Sequence, residues 1–190
     1  MVPLNVPNVL TVVRILLVPV LVVALLSNSG SGDLLAAIVF AMASLTDAID
    51  GYLARSRNWV TTFGKLMDPV ADKLLIVASL VALVSLGRLE AWVAMVIIAR
   101  EFAVTALRIG VATQGVVIVA SPWGKIKTAV QVAMVFCLIA VHGQPVWLTA
   151  LVYLTVVVTV ISGADYFFGL RRGLSAQAAK TSGPSQPQGS

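Results

Sequence analysis

DAIDGYLARSRNWVTTFGKLMDPVAD, residues 47–72, sets two pairs of aspartates on either side of a polar stretch. Asp47 and Asp50 are spaced i, i+3, with Gly51 beside them, and share one face of a helix. Asp68 and Asp72 are spaced i, i+4 and share a face of the next helix. The segment from Arg55 to Gly64 supplies the turn between them, so the two pairs approach each other at adjoining ends of antiparallel helices. Four facing carboxylates repel one another, and some would take up protons unless cations sit among them. Hard divalent cations favour oxygen ligands, and four negative charges match two such ions beside an anionic substrate. Gly51 and Gly64 lack side chains where helices or a ligand come close.

Outward from this segment the chain is apolar. Stretches of about 20 apolar residues, the length of a membrane-crossing helix, run over Val6–Ser27, Asp33–Ala54, Phe63–Leu86, Ala91–Val111, Lys125–Val141 and Val146–Leu170. Turn residues separate them: Ser27 to Gly32, Gly87-Arg88, Ser121 to Gly124, and His142 to Pro145. The first stretch has no charged residue before its apolar run and does not read as a cleaved signal. Residues 1–174 are therefore expected to form one all-α integral membrane domain of six transmembrane helices. Residues 175–190, rich in Ser, Gly, Pro and Gln, read as a disordered cytoplasmic tail.

Composition agrees. Of 190 residues 59% are hydrophobic and 11% charged, against about 25% charged in soluble domains, and the mean hydropathy is +0.98. That excludes a disordered chain, a disulfide scaffold and an ordinary cytosolic enzyme. The net charge of +5 does not point to nucleic acid, because Lys and Arg gather in particular connections. Arg55, Arg57 and Lys65 lie between the second and third stretches, Lys125 and Lys127 open the fifth, and Arg171 and Arg172 follow the last. Only Arg88 lies on the other side. Positive residues stay in the cytoplasm, which places both termini and the aspartate-bearing ends there. Nearly all the charges within the spans then fall in the cytoplasmic half, as expected of a polar cavity open to that side.

The segment 47–72 fits D-x2-D-G-x2-A-R-x8-G-x3-D-x3-D at every fixed position: Asp47, Asp50, Gly51, Ala54, Arg55, Gly64, Asp68 and Asp72. In this it resembles the CDP-alcohol phosphotransferases, six-helix membrane enzymes of phospholipid synthesis. Further segments resemble bacterial phosphatidylglycerophosphate synthases. These are NVPNVLTVVR (residues 5–14), TTFGKLMDPVADKLL (residues 61–75), Ala99 to Phe102 with Arg108, and Gly124 to Thr128.

The resemblance implies that an acceptor hydroxyl attacks the β-phosphorus of a CDP-linked lipid and CMP leaves. It implies two divalent cations, Mg2+ or Mn2+, on Asp47, Asp50 and Asp68, partly shared by Asp72, with Asp72 as general base. Gly51, Ala54, Arg55 and Gly64 match positions lining the cytidine nucleotide, with Asn8 and Thr11 at its border. The implied substrates are CDP-diacylglycerol and glycerol 3-phosphate, and the implied assembly is a homodimer in the cell membrane, its site facing the cytoplasm. An acceptor phosphate needs cations apart from the metal site. Arg100, Arg108, Lys125 and Lys127 are the candidates.

The residues alone leave alternatives open. Arg100 and Glu101 also suit a salt bridge that supports the bundle, and Lys125 and Lys127 also suit anchors at the lipid headgroups. Asp165 reads as a partner of a basic residue, His142 as incidental, and Cys137 as packing or lipid-facing. Other acceptors (phosphatidylglycerol, an inositol phosphate or serine) fit the same signature. A small ion transporter fits less well, since its acidic site belongs near the midplane.

Overall fold

Helix follows helix along the computed structural model, which describes the backbone of residues 6–57, 62–112 and 122–181 and the side chains of 9–46, 71, 73–110 and 123–169. The helices are α1 (Val6–Leu26), α2 (Gly30–Arg57), α3 (Thr62–Ser85), α4 (Ala91–Ala112), α5 (Pro122–Ala140) and α6 (Val146–Thr181). Among the described residues there is no strand. The six apolar stretches thus become six helices with ends within a few residues of those expected, except that α6 runs on past Leu170 to Thr181. The expected domain boundary at residue 174 falls inside α6, and residues 182–190 lie outside the described set.

α1 packs on α2 and α3; α3 also touches α4 and α5; α6 closes the bundle against α4 and α5. The apolar core joins Leu21 and Leu25 of α1, Phe40 of α2, Leu80 and Leu83 of α3, Ile97 of α4 and Met134 and Ile139 of α5. On every one of these helices the core residues lie away from the end that neighbours the aspartates in α2 and α3. Toward those ends the buried residues turn polar: Thr11 and Arg14 on α1, Glu101 on α4, Lys127 and Gln131 on α5, Thr159 and Ser162 on α6. One half of the bundle is held mainly by aliphatic packing, with Ser79 and Asp33 as its buried polar residues, and the other encloses most of the polar groups.

The outer surface is aliphatic. Leu16, Val23, Leu34, Met42, Met95, Ile109 and Val157 all stand exposed on it, and a monomer in water rarely shows so much continuous apolar surface. Among the described residues three helices are long and apolar enough to cross a membrane, over Val9–Leu26, Trp123–Ala140 and Val146–Gly169. Within the described residues α2 and α3 contribute apolar helix over Gly30–Thr46 and Lys73–Ser85. α4 is interrupted by Arg100, Glu101 and Arg108.

The turn between α1 and α2 is tight. Ser29 caps α2, its Oγ accepting from the Gly32 amide at 3.1 Å. A Cβ on Gly32 would lie 2.0 Å from Ser27 Oγ and 2.5 Å from the Ala24 carbonyl oxygen. The hydroxyl can rotate away but the carbonyl belongs to α1, so the helices would have to part. Gly32→Ala is expected to cost about 1–3 kcal/mol, as overpacking does. Gly30→Ala, where nothing lies within 4 Å, serves as the control. Thermal unfolding of both variants in detergent checks this; equal midpoints would remove the close approach as a constraint.

At the same end of the bundle, Gly87 adopts φ +67 and closes α3. Its amide donates to the Val84 carbonyl at 3.0 Å and the Arg88 amide to the Leu83 carbonyl at 2.9 Å, the pairing of a Schellman cap. The cap turns Arg88 onto Asp33, Nη2 donating to Oδ2 at 2.7 Å. His142 Nε2 lies 2.8 Å from the same oxygen, and Asn28 Oδ1 accepts from Arg88 at 3.3 Å. Asp33 is only 2% exposed. One carboxylate therefore ties together the α1–α2, α3–α4 and α5–α6 connections. His142 is not incidental, contrary to the sequence expectation. Arg88→Ala would leave Asp33 buried with His142 as its one remaining partner in this cluster. A loss of about 3 kcal/mol in stability is expected, the low end for a broken buried pair, with Asp33→Asn milder because it removes the charge. Chemical unfolding of the two variants decides the order.

Candidate active site

Asp47 and Asp50 lie near the C-terminal end of α2, and Asp68 and Asp72 in the first half of α3. α2 and α3 are in contact and separated in sequence by residues 58–61. The i, i+3 and i, i+4 spacings fall on continuous helix, so each pair shares a face. The side chains of Asp47, Asp50, Asp68 and Asp72 lie outside the described residues, as do those of Asn8, Ala54 and Arg55; Gly51 and Gly64 lie in the same stretches. On α1, which packs against both helices, Thr11 and Arg14 are buried one turn apart.

The described side chains assemble a second charged group at Glu101 of α4. Lys127 of α5 donates to Glu101 Oε1. Arg100 Nη1 donates to the same oxygen at 3.2 Å, and Lys73 Nζ of α3 lies 4.0 Å from Oε2. Glu101 is 8% exposed and Lys127 5%. Three cations from three helices meet one carboxylate.

α6 supplies the fourth wall. Arg100 Nη2 donates to Ser162 Oγ at 2.6 Å. The arginine lies along α6 beside Gly163, where a Cβ would stand 3.4 Å from Arg100 Cγ, an ordinary contact. Arg108, two turns further along α4, places its Cζ 5.8 Å from the centroid of the Tyr166 ring, within cation–π range. Thr155, Thr159, Ser162 and Tyr166 are all buried and recur every three or four residues, so they form one polar stripe. The Tyr166 hydroxyl, Thr159 Oγ1, Gln131 Oε1 and Arg100 Nε have no hydrogen-bond partner. Buried polar atoms are nearly always paired, so this seam keeps capacity for a ligand or water.

Of the four candidate acceptor cations, Arg100 and Lys127 are therefore brought together, and Arg108 joins the same face of α6. Lys125 is exposed, as a headgroup anchor or the rim of a site would be. The salt bridge of Arg100 and Glu101 is present, but it is one arm of a larger cluster. Lys73, Gln131, Ser162 and Tyr166 are additions that the sequence expectations missed. The period of the α6 stripe was the signal that could have found the last two.

The sequence model of the CDP-alcohol phosphatidyltransferases matches residues 4–161. This chain belongs to the CDP-alcohol phosphatidyltransferase family. The match takes in both aspartate pairs and the whole Glu101 cluster. A CDP-diacylglycerol–glycerol-3-phosphate 3-phosphatidyltransferase of Bacillus subtilis is 41% identical over 86% of this chain and 93% of its own length. A probable phosphatidylglycerophosphate synthase of Mycobacterium tuberculosis is 40% identical, covering 85% of this chain and 79% of its own. A relative from Rickettsia felis, named as the Bacillus protein is, is 36% identical over 86% and 93%. As a member of this family the chain is an enzyme, a transferase of phospholipid synthesis.

Proposed function

We propose that this chain transfers the phosphatidyl group of CDP-diacylglycerol to glycerol 3-phosphate, releasing phosphatidylglycerophosphate and CMP. The observation that carries the acceptor choice is the cation group at Glu101, drawn from α3, α4 and α5, which suits a second phosphate. The names of the relatives agree with it. In this reading all six helices cross the cell membrane with both termini in the cytoplasm, the polar half of the bundle facing that side.

The donor set of the aspartate segment fits hard divalent cations, Mg2+ or Mn2+, because four carboxylates on two adjoining helix ends supply only oxygen ligands. Asp47, Asp50 and Asp68 would hold two such ions, with Asp72 sharing them. When bound, the ions offset the charge of the pyrophosphate and of the departing phosphate. Asp72 takes the proton of the acceptor hydroxyl as its oxygen bonds to the β-phosphorus, and the bond from that phosphorus to the CMP oxygen breaks. Gly51, Ala54, Arg55 and Gly64, bordered by Asn8 and Thr11, hold the cytidine nucleotide. Arg100 and Lys127 hold the acceptor phosphate, with Arg108 and Lys125 toward its entrance.

Purified enzyme supplied with CDP-diacylglycerol and one acceptor at a time tests the substrate assignment. CMP release is expected with glycerol 3-phosphate and not with phosphatidylglycerol, inositol phosphate or serine, and chelation of divalent ions should stop it. Turnover with another acceptor alone would overturn the assignment and leave the family intact.

Orientation has its own test. In a variant lacking Cys137, which is a free cysteine, single cysteines at Ser29 and Gly143 are expected to react with an impermeant external reagent. A cysteine at Ser56 should stay protected until the membrane is opened. The reverse pattern would put the aspartates on the wrong side.

A further inference from the structure

We propose that Glu101 is a positioning residue that aims Arg100 and Lys127 at the phosphate of the acceptor, an inference that rests on the acceptor site proposed above. Glu101 divides its two oxygens between neighbours. Oε1 takes Lys127 of α5 and Arg100, while Oε2 faces Lys73 of α3. Arg100 is held a second time by Ser162 of α6. Four helices are thereby joined through one buried carboxylate, and two of its three cations are candidate phosphate ligands.

The donors support an anion site. An arginine carries five N–H groups in a planar fork, and Arg100 Nε is without a hydrogen-bond partner among the described residues. Without Glu101 the cations would repel one another, and long side chains would settle in many rotamers. Holding them in one geometry before the acceptor arrives removes an ordering cost from binding. Lys73 follows Asp72 directly in α3, so the cluster also fixes the acceptor end against the helix that bears the proposed base.

The test turns on a sign. If Glu101 only balanced charge, Glu101→Gln would leave a more positive site and lower the KM for an anionic acceptor. Positioning predicts the reverse: KM for glycerol 3-phosphate rises about tenfold or more, the scale of one charge-assisted hydrogen bond. KM for CDP-diacylglycerol should stay within about twofold, since neither candidate cation serves that substrate. Glu101→Asp, which keeps the charge, should recover part of the loss. In an Arg100→Ala, Lys127→Met background, Glu101→Gln should add little, because it acts through those two side chains.

A lowered or unchanged KM for glycerol 3-phosphate, an equal rise for both substrates, or full additivity in the triple variant each overturns the proposal. If Glu101→Gln does not yield folded enzyme, Glu101→Asp alone carries the test. It must then raise the acceptor KM selectively, or the proposal falls. Wild-type enzyme that releases no CMP with glycerol 3-phosphate removes the functional reading and this inference together. Wild-type turnover, with Arg100→Ala raising the acceptor KM and the Glu101 variants silent, removes only the inference.

Discussion

Asp72→Asn is expected to reduce turnover by about 10²–10⁴-fold, the usual contribution of a general base, while the variant still binds CDP-diacylglycerol in the presence of divalent ions. The amide is close in size to the carboxylate but does not accept the acceptor's proton. Asp47→Asn, Asp50→Asn and Asp68→Asn are expected to abolish turnover by another route, since each removes a negative oxygen ligand. Their binding of the CDP-lipid should weaken and demand more metal. Binding measured with metal titrated across the four variants separates the two routes. Substantial turnover in Asp72→Asn would remove its assignment as base. Identical metal dependence in all four would mean that the aspartates act as one undivided metal cluster.

Arg100→Ala should raise the KM for glycerol 3-phosphate about ten- to a hundredfold, equivalent to roughly 1.5–3 kcal/mol, with a far smaller change for CDP-diacylglycerol. The structure sharpens this expectation. Arg100 is pinned by Glu101 and Ser162, so its fork is set in place, and Arg100→Lys should restore charge without restoring the two-point grip. Arg108 is exposed and rests over Tyr166. Its replacement by Ala should therefore act in the same direction and more weakly. Equal effects of Arg100→Ala on both substrates would mean that the arginine only ties α4 to α6. Steady-state kinetics with each substrate varied in turn distinguishes these outcomes.

The two predictions draw on parts of the molecule that differ in how legible they were. The aspartate pairs follow from spacing within single helices, and local spacing survives whatever the tertiary fold does. Arg100 and Lys127 were legible as charges in apolar stretches, where a charge is expensive and marks function. Their meeting at Glu101 was not, because it depends on which faces of α3, α4 and α5 turn toward one another.

Membrane-type helices hide that information. In a water-soluble bundle the apolar stripe of a helix marks its inner face. Here the outer face is apolar as well, as Leu16, Met95 and Val157 show, so hydrophobic periodicity does not say which side is buried. Only the polar residues mark the interior, and they do so where they recur with helical period, as Thr155, Thr159, Ser162 and Tyr166 do on α6.

By itself, then, the sequence determined six helices, their ends to within a few residues save the C-terminal end of α6, the pairing of the aspartates and the family. All of these are local matters of run length, turn residues and spacing. The tertiary structure alone decided that Asp33 collects Arg88 and His142 from two other connections, and that Glu101 gathers cations from α3, α4 and α5. Such contacts join residues far apart in the chain. A charge in a low-dielectric surround is costly unless it is paired, and the pairing exists only once the helices are packed.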